Sequence, residues 1–184
     1  RPFRRQRQMC IRDRDSGFPI WDGAISYASG PSELESLVDS DSSPVVEGGL
    51  VYTVNYQGNL NIFDLAQKRS VWTSESSSFF SPLIIKGVLA IVEADSSIKT
   101  FSMKNLQPSW SSSEYLNREL SNASSFKGKL IVGDFEGYIH IIDPLNGSTI
   151  GRTKVSKKPI KTIISRSNNF YAIDEGFNIF SLSL

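Results

Sequence analysis

Apolar and polar positions along the chain alternate in short blocks. Runs rich in Val, Ile, Leu, Tyr and Phe recur as PVVEGGLVYTVNY, NLNIFDL, PLIIKGVLAIVEA, SIKTFSM, KLIVGDFEGYIHIID and NFYAIDEGFNIFSLSL, separated by Gly, Ser, Asn and Asp. Run length, β-branched content and turn punctuation predict an all-β chain. No long window carries a helical apolar period. The best helical candidate, SELESLVD at residues 32–39, is short and sits among loop-like residues.

The blocks repeat. Trp72 and Trp110 are 38 residues apart, as are Pro44 and Pro82. Leu60, Ile98, Ile139 and Ile179 occupy one place in four similar units, at spacings of 38, 41 and 40. Each unit reads as strand, Gly-containing turn, strand, polar turn (YQGN, ADSS, FEGY, DEGF), third strand and fourth strand. A period near 40 with four strands is the pattern of a β-propeller blade. The expected units are residues 43–74, 81–112 and 120–154, with 18–26 as the last strand of a preceding blade. Residues 159–184 supply three strands of another. The expectation is an all-β, partial β-propeller of four-stranded antiparallel blades, its missing fourth strand contributed by the N-terminus of a longer protein.

Composition bounds the rest. The chain has 184 residues, 39% apolar and 21% charged, which is a globular balance. A single Cys excludes an internal disulfide, and one Cys with one His excludes the common zinc sites. The net charge of +1 hides an Arg-rich head: residues 1–14 hold six Arg and one acid, leaving 14 basic and 18 acidic groups in the body. RRQRQMCIRDRD resembles the translation of a sequencing-library adapter joined to a truncated reading frame. Residues 1–14 are therefore expected to be a non-native or disordered head, and residues 15–184 the C-terminal part of a propeller domain.

Candidate chemistry is sparse. His140 lies inside a predicted strand, and no G-x-S-x-G elbow accompanies it, so it reads as a strand residue on a blade surface rather than a catalytic base. No nucleotide-binding glycine motif and no calcium loop occur. Trp21, Trp72 and Trp110 read as inter-blade packing. Asp64 and Asp143 read as caps of the turns that follow them. The segment at residues 28–43 exceeds the repeat by about a dozen residues and carries Glu33, Glu35, Asp39 and Asp41 around Leu34 and Leu37. It reads either as a binding loop for a basic protein partner or as a solvated loop.

That segment carries a resemblance. A Trp strand at Trp21, Ser29-Gly30, Glu33, Leu37, Asp39 and Asp41, Pro44-Val45-Val46, Tyr56, Gly58-Asn59-Leu60 and Asp64-Leu65 are similar to the BamB (YfgL) family of outer-membrane assembly lipoproteins. Gly133, Asp134, Glu136, Gly137 and Tyr138 resemble the penultimate blades of that family. Departures are Ile150 in place of a last-strand Trp and the missing Gly in QKRSVW. The resemblance implies an eight-bladed propeller, of which this chain is about four blades. It also implies a lipid-anchored protein at the periplasmic face of the outer membrane, a POTRA domain of BamA as partner, and unfolded outer-membrane proteins as candidate clients. No enzymatic activity, cofactor, metal or nucleic acid is implied. The surface that meets POTRA would include Glu33, Leu37, Asp39 and Asp41. Two rivals are a generic protein-interaction propeller and a fragment of a PQQ-dependent quinoprotein dehydrogenase.

Overall fold

The computed structural model describes residues 7–26 and 42–184. It contains seventeen strands in five antiparallel sheets and no helix among the described residues. Two compact units divide the chain at Arg1–Ser81 and Pro82–Leu184.

In the first unit, β1 (Arg7–Arg12) pairs with β2 (Pro19–Ser26). The sequence reading places a disordered or non-native head where β1 lies. The turn between β1 and β2 is closed by Asp13, whose Oδ1 accepts from the Ser16 amide at 2.7 Å and the Ser16 hydroxyl at 2.6 Å. The helical candidate at residues 32–39 falls outside the described residues.

The same unit holds a four-stranded meander: β3 (Val45–Glu47), β4 (Leu50–Val54), β5 (Asn59–Asp64) and β6 (Arg69–Glu75). The second unit holds two more. One is β7 (Leu83–Ile85), β8 (Val88–Val92), β9 (Ile98–Ser102) and β10 (Pro108–Ser112). The other is β11 (Ser124–Phe126), β12 (Lys129–Gly133), β13 (Tyr138–Ile142) and β14 (Thr149–Lys154). A three-stranded sheet of β15 (Ile160–Ser165), β16 (Phe170–Asp174) and β17 (Ile179–Leu182) completes it. The strands fall where the forty-residue repeat places them.

Successive residues of β4, β8 and β12 are buried on both faces rather than on alternate ones. This explains why their sequences are continuous apolar runs: a strand covered on both sides has no polar face. Between the last two sheets, Phe126, Ile131 and Ile139 pack against Ile160, Ile163, Phe170 and Ala172 in one cluster. The Phe126 and Phe170 rings lie 5.2 Å apart at a tilt of 55°. Gly133 faces Ile160 so closely that a Cβ would come within 2.4 Å of its Cγ2.

Trp110, in β10, donates from Nε1 to the Pro144 carbonyl at 2.8 Å and lies over Gly147. It thus fastens one sheet to the β13–β14 turn of the next, the packing role read from its repeat position. Asp64 accepts from the Ala66 and Gln67 amides at 2.8 and 2.9 Å, and Asp143 from the Leu145 amide at 3.0 Å. Both cap their turns, and these bonds lower both carboxyl pKa values.

Candidate interaction surface

Glu33, Leu37, Asp39 and Asp41, the residues singled out from sequence, lie outside the described residues. The structure describes the point at which their segment rejoins the first blade. The Ser42 hydroxyl bonds to the Val54 carbonyl at the end of β4, and the Ser43 amide donates to Ser81 Oγ at 3.0 Å. Beside Val54, the Tyr56 and Phe79 rings stack at 4.2 Å, with 19° between their planes. Phe79 remains 43% exposed, so the stack presents an aromatic face to solvent. Ser42 and Ser43, the described end of that segment, are thus held near the β4–β5 turn, which carries the half-buried Tyr56 stacked on the exposed Phe79.

That turn belongs to a series that sequence reasoning did not single out. Asn55, Glu93, Asp134 and Asp174 each lie five residues before the repeat-locked Leu60, Ile98, Ile139 and Ile179. All four are buried. A polar residue recurring at the repeat spacing just before each polar turn was the available signal. Burial is tolerated where the side chain ties the turn together.

Asp134 shows how. Its Oδ1 accepts from the Glu136 and Tyr138 amides at 3.0 and 2.9 Å, and its Oδ2 from Arg118 Nη2 at 2.6 Å and Arg118 Nε at 3.0 Å. His140 Nε2 lies 2.8 Å from the same Oδ2. Burial works against the charge on Asp134, but the bonds from His140, Arg118 and the Tyr138 amide outweigh it and hold the pKa down at about 2. Arg118 also pairs with Glu136 and lies 5.6 Å over the Phe135 ring. His140 is 4% exposed and set edge-on to Tyr115 at 5.0 Å. It is therefore inside the blade, where the sequence reading places one side of it on a surface.

Asp174 repeats the arrangement with neutral partners. It accepts from the Gly176 and Asn178 amides at 2.8 and 3.0 Å and from Ser156 Oγ at 2.6 Å. The Ser156 bond, with those from Asn178, lowers its pKa to about 2. In both sheets the buried acid binds the connection that enters its own blade. Glu93 pairs with Lys99 at 3.3 Å. In the first blade, both polar atoms of the Asn55 amide lack a hydrogen-bond partner among the described residues.

The G-D-x-E-G-Y string now has a physical reading. Gly133 makes room for Ile160, and Asp134 is the hub of the turn. Gly137 has φ 84°, and a Cβ there would fall 2.2 Å from the Ser156 carbonyl oxygen. These residues shape the turn. Among the described residues no group of three or more His, Cys, Asp or Glu is arranged to hold a metal ion.

Comparison with known proteins places this geometry. The family model described as "Outer membrane protein assembly factor BamB" matches residues 4–112, beginning inside the basic head. Proteins of that name are similar in sequence: 38% identical over 143 residues in Shewanella oneidensis and 30% over 148 in Escherichia coli. These alignments take in 77% and 80% of this chain, and 36% and 38% of the relatives' own lengths. The chain thus spans well under half the length of the curated relatives it matches. The crystal structure of BamB from Moraxella catarrhalis superposes with a TM-score of 0.86 at 24% identity, over 96% of this chain and 53% of that one. The computationally designed Ika8 protein superposes at 0.67 with 11% identity, over 82% of this chain and 46% of that one. The fold is that of about four propeller blades, and the chain belongs to the BamB family of outer-membrane protein assembly factors.

Proposed function

We propose that this chain is part of a non-catalytic scaffold of the outer-membrane β-barrel assembly machinery. In this reading it binds a POTRA domain of BamA and assists the folding and insertion of outer-membrane proteins. It works at the periplasmic face of the outer membrane, held there by a lipid anchor on the whole protein. The observation that carries the reading is family membership, joined to the acidic segment bearing Glu33, Leu37, Asp39 and Asp41.

The chemistry is compatible. Two carboxylates two residues apart can meet Arg or Lys of a partner, and a desolvated charge-assisted bond contributes about 1.5–3 kcal/mol. Leu37, two residues before the pair, would supply apolar contact, and the exposed Phe79, stacked on the half-buried Tyr56, would add to it.

A pull-down with a purified BamA POTRA domain tests the proposal. Asp39→Arg and Asp41→Arg should each weaken capture about tenfold or more by placing like charges together, with the circular dichroism spectrum unchanged. Capture unaffected by both substitutions would refute the assignment.

A further inference from the structure

The body of this chain is acidic, yet five of its cations fall within ten residues. Arg152, Lys154, Lys157, Lys158 and Lys161 occupy residues 152–161, and that stretch has no carboxylate. All five are exposed. Arg152 and Lys154 project from one face of β14 and flank the Tyr138 ring, at 5.4 and 5.0 Å from its centroid. The connection that follows is seated between two turns. The Val155 amide donates to the Gly137 carbonyl at 3.0 Å, and the Glu175 amide to the Pro159 carbonyl at 2.8 Å. Lys158 lies over Gly176. The cations therefore share one loop cluster at the end of the last two sheets.

The nearby acids are already engaged. Glu175 pairs with Lys161 at 3.3 Å, Glu136 with Arg118, and Asp174 is buried in its own turn. Arg152, Lys154, Lys157 and Lys158 have no ion-pair partner among the described residues. At the tip of the 174–178 turn, in the same cluster, stands Phe177. It is 88% exposed and has φ 61°. The equivalent position one repeat earlier is Gly137. An aromatic residue in the left-handed region is uncommon and strained, and here no packing compensates it.

From this we infer a docking surface for an anionic lipid bilayer, with Arg152, Lys154, Lys157 and Lys158 facing headgroup phosphates and Phe177 entering the interfacial layer. Two observations favour a lipid surface over an acidic protein. Three of the four unpaired cations are Lys, hydrated point charges that suit diffuse phosphate better than the forked geometry of a carboxylate. The apolar element is a lone convex aromatic tip, which suits insertion into an interfacial layer.

Vesicle flotation tests it on the 184-residue chain. Vesicles of phosphatidylethanolamine with about a third phosphatidylglycerol should bind the chain, and phosphatidylcholine vesicles should not. Binding should weaken steeply as salt rises. Lys154→Gln, Lys157→Gln and Lys158→Gln should each lower partition about fivefold. Phe177→Asn, which suits the same backbone conformation, should lower it about tenfold through lost apolar burial. Equal binding to both vesicle types overturns the inference, as does absence of binding or partition indifferent to these four substitutions. Retention on immobilised polyglutamate without vesicle binding would assign the surface to an acidic protein instead.

Discussion

Four glycines of the second unit make a graded test of how its turns and sheets are held. Gly151 has neither a positive φ nor any atom within 4 Å of a would-be Cβ, so Gly151→Ala should be neutral or slightly stabilising. Gly87 has φ 74° and open space, so Gly87→Ala meets backbone strain alone, about 1 kcal/mol. Gly133 has no positive φ but faces Ile160 at 2.4 Å, so Gly133→Ala meets overpacking alone, about 1–3 kcal/mol. Gly137 has both faults, with φ 84° and a backbone oxygen at 2.2 Å that no side-chain rotation removes. Its cost should approach the sum, about 2–4 kcal/mol and towards the upper end because the clash is with backbone. For a chain of this size each kcal/mol moves the melting temperature by roughly 2–4 °C. Differential scanning calorimetry of the four alanine variants should therefore rank them Gly151, Gly87, Gly133, Gly137 in increasing loss. Equal losses at Gly87 and Gly137 would refute the close approach of the Ser156 carbonyl. A loss at Gly151 matching that at Gly133 would refute the distinction between open and crowded sites.

Asp134→Ala should cost about 3 kcal/mol, because it leaves the buried His140 and the Glu136 and Tyr138 amides without their acceptor and Arg118 with Glu136 alone; urea denaturation measures it. Asp134 and Asp174 have folded pKa values of about 2 against the ordinary 3.8, so their contribution is fully present above pH about 4 and is lost as pH falls towards 2. Melting temperature should fall over that window, and Asp134→Asn should flatten the fall. Trp110→Phe removes the bond to the Pro144 carbonyl while keeping most of the ring, and should cost about 1 kcal/mol in the same assay. Phe177→Asn should leave the melting temperature unchanged or slightly raised, since it relieves strain and breaks no packing.

Much of the fold was legible because blade strands are local objects. Alternating runs, Gly turns and a period near 40 place β3–β17 without reference to distant contacts, and Asp64 and Asp143 cap turns that lie beside them in sequence. β1 is defined by its pairing with β2, a contact that the local pattern of an Arg-rich segment does not carry. The candidate site divides the same way. The acidic segment is plain in the sequence and its family likeness is specific, while the hub at Asp134 joins Arg118, sixteen residues earlier, to His140, six later.

Ile139 and Ile179 draw the line most clearly. The sequence by itself assigns them one role, the same place in the same repeat, along with Leu60 and Ile98. In the structure Leu60, Ile98 and Ile139 are fully buried, whereas Ile179 is 67% exposed. Ile139 is covered by the β15–β17 sheet, and among the described residues no sheet covers Ile179. Periodicity determines which face of a strand is apolar, because side chains alternate along the backbone. Burial depends on whether a neighbouring sheet lies against that face, and only the tertiary structure decides that. The same holds for charge: the sequence counts the cations at residues 152–161, but only the structure seats their connection between the turns at Gly137 and Glu175.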